Sequence, residues 1–238
     1  MASVNIFTPV YHRFLSTKKS LESIIKCVNT SVYPCKLFIG VNGVENDEMR
    51  EWLKSLSSDK VILYFSDRNV GKADIVNHMY SKNNDCTHVI SIDSDMIADE
   101  GNFIDDMVWA IEHFPDFGLL SSFQKEADCH IWNDMGGLQK IVSKENCEIK
   151  YGNKNCIAGG CVILKKEIWE KIGGYSNYGK VYGFDDALMM AAICSNGKDV
   201  GVLVSTKLTH PFDGDEGYKK WKQQNISKRL EKGYFESR

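Results

Sequence analysis

What most restricts the fold of this chain is a regular alternation, over its first ninety residues, of short apolar runs with longer amphipathic ones. Val4 to Thr8 is an apolar run closed by Thr8-Pro9. Behind it apolar residues recur at Phe14, Leu15, Leu21, Ile24, Ile25 and Val28, the spacing of one helix face. Cys35 to Val41 reads as a strand stopped by Asn42-Gly43, Asp47 to Leu56 as a helix, Val61 to Phe65 as a strand, Lys72 to Ser81 as a helix and Thr87 to Ile92 as a strand. An order of β, α, β, α, β, α, β implies parallel strands with right-handed crossovers, whose carboxyl ends all lie along one edge. The expected class is therefore α/β, with a central mixed, mostly parallel sheet flanked by helices.

Polar residues gather where that geometry puts a crevice. Thr8-Pro9, Asn42-Gly43, Asp67-Arg68-Asn69 and Asp93-Ser94-Asp95 each lie at or just past a strand end, and open α/β sheets bind ligands there. Further on, Ile104 to Phe114 is helical in spacing and Phe117 to Ser122 strand-like. Gln124 to Asn153 is polar, irregular and holds Gly136-Gly137; a substrate-facing excursion is expected there. Cys156 to Leu164 reads as a strand, Lys166 to Ile172 and Phe184 to Cys194 as helices, and Val200 to Ser205 as a last strand before Thr209-His210-Pro211. With no repeat or linker, one domain is expected over 1–212. A basic, helix-prone tail follows over 213–238, carrying Tyr218, Lys219, Lys220, Trp221, Lys222, Lys228, Arg229 and Lys232.

Composition narrows the partners. Of the 238 residues 43% are apolar and 26% charged, as in ordinary globular chains, and the formal charge of −3 leaves no general basic field for a polyanion. No apolar run approaches the roughly 20 residues a membrane helix needs, and Met1 to Phe7 lacks the features of an export signal, so a cytoplasmic location is expected. The eight cysteines form no C-x-x-C pair and most lie in apolar runs, which reads as reduced core thiols.

Asp93-Ser94-Asp95 puts two hard oxygen donors at the end of an apolar run, where they could hold a divalent cation; solvated loop carboxylates are the alternative. With 18 Asp in the chain, roughly one to two such triplets are expected by chance, and Asp213-Gly214-Asp215 is another. Arg68-Asn69-Val70-Gly71-Lys72-Ala73 places two cations and a glycine at a strand-to-helix turn, suited to a phosphate or to an exposed helix cap. Asp185-Asp186 opens a helix after Gly183-Phe184, as a cap or as a general base. His210 is a metal ligand or a surface histidine. Serine-hydrolase, zinc-protease and zinc-deaminase patterns are missing, as are the Walker and dinucleotide-binding glycine motifs.

In their order these motifs resemble the family 2 glycosyltransferases of the GT-A, Rossmann-like fold, over roughly Val4 to Phe212. Asn5-Ile-Phe-Thr8-Pro9-Val10-Tyr11 resembles the first-strand signature that holds the nucleobase, and Asn42-Gly43 stands where the family has base-binding Asp residues. Arg68 to Ala73 is close to the N-x-G-x-A turn, and Asp93-Ser94-Asp95 to the D-x-D site. Ala158-Gly159-Gly160 followed by Ile172-Gly173-Gly174-Tyr175 resembles the acceptor-side segment, and Phe184-Asp185-Asp186 the Glu-Asp pair whose second member is the base.

The resemblance implies a nucleotide-sugar site built from Thr8, Pro9, Val10, Tyr11, Asn42, Arg68, Asn69, Gly71, Lys72, Asp93, Ser94, Gly159 and Gly160. It implies Mn²⁺ or Mg²⁺ on Asp93, Asp95 and His210, and Asp186 as base with Asp185 beside it. Residues 1–97 would then bind the donor and 98–212 the acceptor. The expected activity is inverting transfer from a nucleoside-diphosphate sugar, with a bias to UDP, onto a hydroxyl of a cell-surface glycan or lipid-linked saccharide. Two alternatives stand beside it: glycosylation of a hydroxymethylated base in DNA, and a non-catalytic nucleotide-sugar-binding protein. The basic tail suits an anionic membrane surface, a nucleic-acid backbone or solvent. A nucleotidyltransferase would carry a glycine-rich loop after the first strand, where this chain has Thr8-Pro9-Val10-Tyr11-His12-Arg13.

Overall fold

The computed structural model describes residues 2–125, 140–152, 157–176, 183–211 and Lys220. The first four strands are β1 (Val4–Val10), β2 (Cys35–Asn42), β3 (Val61–Ser66) and β4 (His88–Ile92); α1 (Phe14–Thr30), α2 (Asp47–Ser55) and α3 (Lys72–Lys82) connect them. After α4 (Phe103–His113) come β5 (Phe117–Lys125), β6 (Lys140–Lys144), β7 (Cys147–Tyr151) and β8 (Cys161–Lys165), then α5 (Lys166–Ile172), α6 (Asp185–Ser195) and β9 (Asp199–Thr209). Helix starts follow local chemistry. Asn46 caps α2 by accepting from the Met49 N–H at 2.7 Å, and Asn102 caps α4 by accepting from the Ile104 N–H at 3.1 Å.

All nine strands form one sheet in the order β3-β2-β1-β4-β8-β5-β9-β7-β6. The expected parallel set is there: β1 pairs with β2 and β4, and β2 with β3, all parallel. In the other half only β5 and β9 are parallel, and β8 runs against both its neighbours. Alternate strand residues feed two cores. Leu21, Ile24, Met49, Leu53, Phe103 and Met107 pack α1, α2 and α4 on one face. On the other, Val76, Met79, Trp169 and Met190 pack α3, α5 and α6. Both faces are thus covered, as the fully buried β4 (His-Val-Ile-Ser-Ile) requires.

Part of the segment expected to be irregular is a hairpin: β6 and β7 pair antiparallel across Glu145, which adopts positive φ, and β7 joins β9. Cys147 and Ile149 face the core while the residues between and after them are half-exposed, so a strand period of two is present in a stretch too short and polar to announce it. Residues 126–139, including Gly136-Gly137, and nearly all of the basic tail lie outside the described residues, as do Cys129 and Cys156. The remaining six thiols are free, Cys194 half-buried and the others buried. Burial raises their pKa, that of Cys86 to about 11.

Candidate active site

Two backbone events bring the site together. The strand β4 ends at Ile92, and Asp93-Ser94-Asp95 follows at the rim. Because β8 is antiparallel to β4, the loop leading into it, Ile157 to Gly160, meets the same rim, and the Asp93 N–H donates to the Gly160 carbonyl at 2.7 Å. The helix α6 starts there too, after Gly183 (φ 92°) and Phe184, a non-glycine residue held at φ 71° and 57% exposed. Its first turn presents Asp185 and Asp186. A methyl group on Gly159 would strike the Asp186 carboxylate, so this glycine makes the space the acid occupies.

Lys72, at the start of α3, links the groups. Its Nζ lies 2.9 Å from Asp93 Oδ1 and 3.0 Å from Asp186 Oδ1. The Gly159 carbonyl is at 3.5 Å and the Tyr175 ring centroid at 5.3 Å. On the far side, Asp95 Oδ2 pairs with Arg13 Nη1 at 2.8 Å and with His210 Nε2 at 3.3 Å. Arg13 itself holds a left-handed conformation, φ 69° and ψ 57°, at the start of α1.

The electrostatics follow from this crowding. Burial opposes the charge on Lys72, but Asp186 and Asp93 outweigh it and hold its pKa well above the ordinary lysine value. Asp93 is pushed up to about 6 by desolvation, with Asp95 and Asp186 adding to the rise against the pull of Lys72. The Asp93 side chain is 35% exposed, so protein crowds the carboxylate without wholly excluding water. Asp185 is raised by burial and by Asp186, and Tyr175 lies far above the usual phenol range because it is buried.

The nucleotide-binding set expected from sequence divides. Asp93, Asp95, Lys72, Gly159, Gly160, Asp186 and His210 meet at one rim. Thr8 and Val10 are fully buried in β1, so only their backbone is available to a ligand, whereas Pro9 and Tyr11 are half-buried. Asn42 is also buried and serves the turn after β3. Its Oδ1 accepts from the Val70 N–H at 2.9 Å, and its Nδ2 donates to Asn69 Oδ1 at 2.9 Å and to the Gly71 carbonyl at 3.4 Å. Ser94 lies half-buried between the two rim carboxylates. Arg68 is exposed and lines a hollow of about 670 Å³ with Phe65, Asp74 and His78, beside the edge strand β3 and apart from the carboxylates.

Sequence reasoning passed over Arg13 and Tyr175 as site residues. Arg13 was visible only as a cation three residues past the end of β1. Tyr175 ends a Gly-Gly-Tyr turn in the sequence, and nothing local shows that its ring lies beside Lys72.

A nine-stranded mixed sheet with six helices among the described residues packed on its two faces is the GT-A glycosyltransferase fold. In sequence, the model of the N-terminal domain of galactosyltransferases matches residues 139–211, the stretch from β6 to His210 and Pro211. No curated protein matches the chain by sequence. Three solved structures are similar in fold. The mannosyltransferase PcManGT from Pyrobaculum calidifontis, in complex with GDP-Man and Mn²⁺, is 15% identical with a TM-score of 0.67 over 94% of this chain and 61% of its own. GalNAc-T7 with UDP, GalNAc and Mn²⁺ is 12% identical, TM-score 0.70, over 87% of this chain and 43% of its own. S. aureus TarS 1-349 is 11% identical, TM-score 0.58, over 87% of this chain and 60% of its own. This chain therefore spans less than two thirds of each. No helix among the described residues is long and apolar enough to cross a membrane.

Proposed function

We propose that this chain is a metal-dependent glycosyltransferase of the family 2 type, moving a sugar from a UDP-linked donor to a hydroxyl of a saccharide acceptor with inversion. One observation carries the reading: Lys72 binds Asp93 and Asp186 at 2.9 and 3.0 Å, so the carboxylates matched to donor and acceptor chemistry share one crevice. The Mn²⁺ and nucleotide or nucleotide-sugar complexes of PcManGT and GalNAc-T7 support a divalent cation and an activated donor.

The donor set fits a hard cation. Asp93 and Asp95 offer carboxylate oxygens and His210 an imidazole beside Asp95. Among the described residues no three His, Cys, Asp or Glu side chains are already gathered around one point. When bound, the cation neutralises the diphosphate and the charge that develops on the leaving group. Asp186 accepts the proton of the acceptor hydroxyl as that oxygen attacks the anomeric carbon from the opposite face. The backbone N–H groups of the first turn of α3, after Gly71, face the phosphates. The backbone at Thr8 to Tyr11 and the turn of Arg68 and Asn69, braced by Asn42, lie toward the nucleoside, and Gly159 and Gly160 toward the transferred sugar and acceptor. Residues 1–97 are then the donor half and 98–212 the acceptor half.

The test is release of nucleoside diphosphate from a panel of UDP- and GDP-sugars with Mn²⁺ or Mg²⁺. Release from a UDP-sugar that stops with chelator is expected, and Asp95→Asn and Asp186→Asn should each lower it by roughly 10²–10⁴-fold while the fold melts normally. Full activity in chelator overturns the metal assignment, and full activity in Asp186→Asn moves the base to Asp185.

A further inference from the structure

The ammonium of Lys72 has three N–H groups, and three protein oxygens lie within 3.5 Å of it, on Asp93, Asp186 and the Gly159 carbonyl, with the Tyr175 ring at 5.3 Å. A lysine meant chiefly to grip a phosphate would keep a donor turned toward the crevice. This one is saturated by protein, its side chain 17% exposed, and the partners come from three parts of the chain, Asp186 being 114 residues away. Asp186 has the like charge of Asp185 beside it, and its carboxylate occupies the space that a side chain at Gly159 would fill.

We propose that Lys72 is a positioning residue of the transfer reaction: it ties Asp186 to Asp93 and so holds the acceptor-side base at a fixed place relative to the donor. This rests on the reading of Asp186 as base. Lys72 acts through Asp186, and removing it releases that carboxylate while leaving the donor's own contacts in place.

The experiment is a double-mutant cycle of Lys72→Met, Asp186→Asn and the pair, read as kcat, donor KM and calorimetric affinity for UDP with Mn²⁺. Lys72→Met should lower kcat by about 10²-fold with donor KM and UDP affinity within about 3-fold of wild type. The pair should be no slower than Asp186→Asn alone, and Lys72→Arg should recover part of kcat, since a guanidinium can span two carboxylates. Losses that multiply in the pair, or a fall in UDP affinity with kcat kept, would overturn the proposal and make Lys72 a phosphate ligand. If melting shows that Lys72→Met is unfolded, the cycle is run with Lys72→Gln, which keeps two N–H donors without the charge, and the same outcomes decide. A wild-type protein that turns over no nucleotide sugar sinks the functional reading as well; one that turns over but gives a multiplicative cycle sinks only the role of Lys72.

Discussion

At position 159 the structure leaves room for a hydrogen and nothing larger, because the Asp186 carboxylate stands where a side chain would begin. Gly159→Ala must displace that carboxylate and strain its contact with Lys72. Overpacking of this kind costs about 1–3 kcal/mol, so a modest loss of melting temperature with a disproportionate loss of kcat is expected; unchanged kcat would show that Asp186 has latitude the geometry does not suggest. The residue scale also shows what a sequence hides. Asp93, Asp95, Asp185 and Asp186 stand out not as acidic doublets, which also open the helices at Asp47-Glu48 and Asp105-Asp106, but by their order along the chain relative to the glycine-rich turns. Arg13 does not, because its role depends on a left-handed backbone that the identity of a long-chain residue does not announce.

Among elements, the turn between β3 and α3 shows why Asn, and not Asp, stands at the end of β2. The Asn42 amide accepts from Val70 and donates to Asn69 and Gly71, and Gly43, at φ 71°, lets the Arg68-Asn69 backbone pass in contact with it. A carboxylate would face two acceptor oxygens with no proton to give. Asn42→Ala should therefore destabilise by about 1–3 kcal/mol, the cost of stranding buried polar groups, and weaken donor binding through a loosened turn; chemical denaturation and UDP titration check this, and a neutral substitution would refute the bracing role. The alternation that revealed β1 to β4 works because each crossover helix has a clean apolar face. It failed over 140–151, where the exposed β6 contributes almost nothing apolar to the core and only Cys147 and Ile149 mark β7. The reversed direction of β8 was equally hidden, since hydrophobic runs carry no sense of direction.

Over the whole molecule, the rim that holds the candidate site is opposed by an end tied together by ion pairs. At the start of β4, His88 Nε2 lies 2.9 Å from Glu112 Oε1 on α4, and Lys165 Nζ at the end of β8 lies 2.9 Å from Glu112 Oε2. Burial lowers the His88 pKa despite Glu112, while Glu112 is held low because Lys165 and His88 outweigh its own desolvation. The unfolded chain thus takes up the His88 proton first as pH falls through about 6.5, and stability is lost on acidification. Asp93, raised to about 6, acts in the opposite sense, gaining stability for the folded form as pH falls, but does so equally in wild type and variant. His88→Gln should therefore flatten the decline of melting temperature between pH 7 and 5 relative to wild type; parallel curves would remove His88 from this role. Between the two ends runs the β4–β8 ladder, from His88 opposite Lys165 to Ile92 opposite Cys161. The smallest slip that keeps side chains on their proper faces is two residues, or about 6.8 Å, which would carry Gly160 wholly past Asp93. That ladder is the gauge of the cleft's width, and it has no intermediate setting: the two walls stand at their working separation or the cleft does not exist.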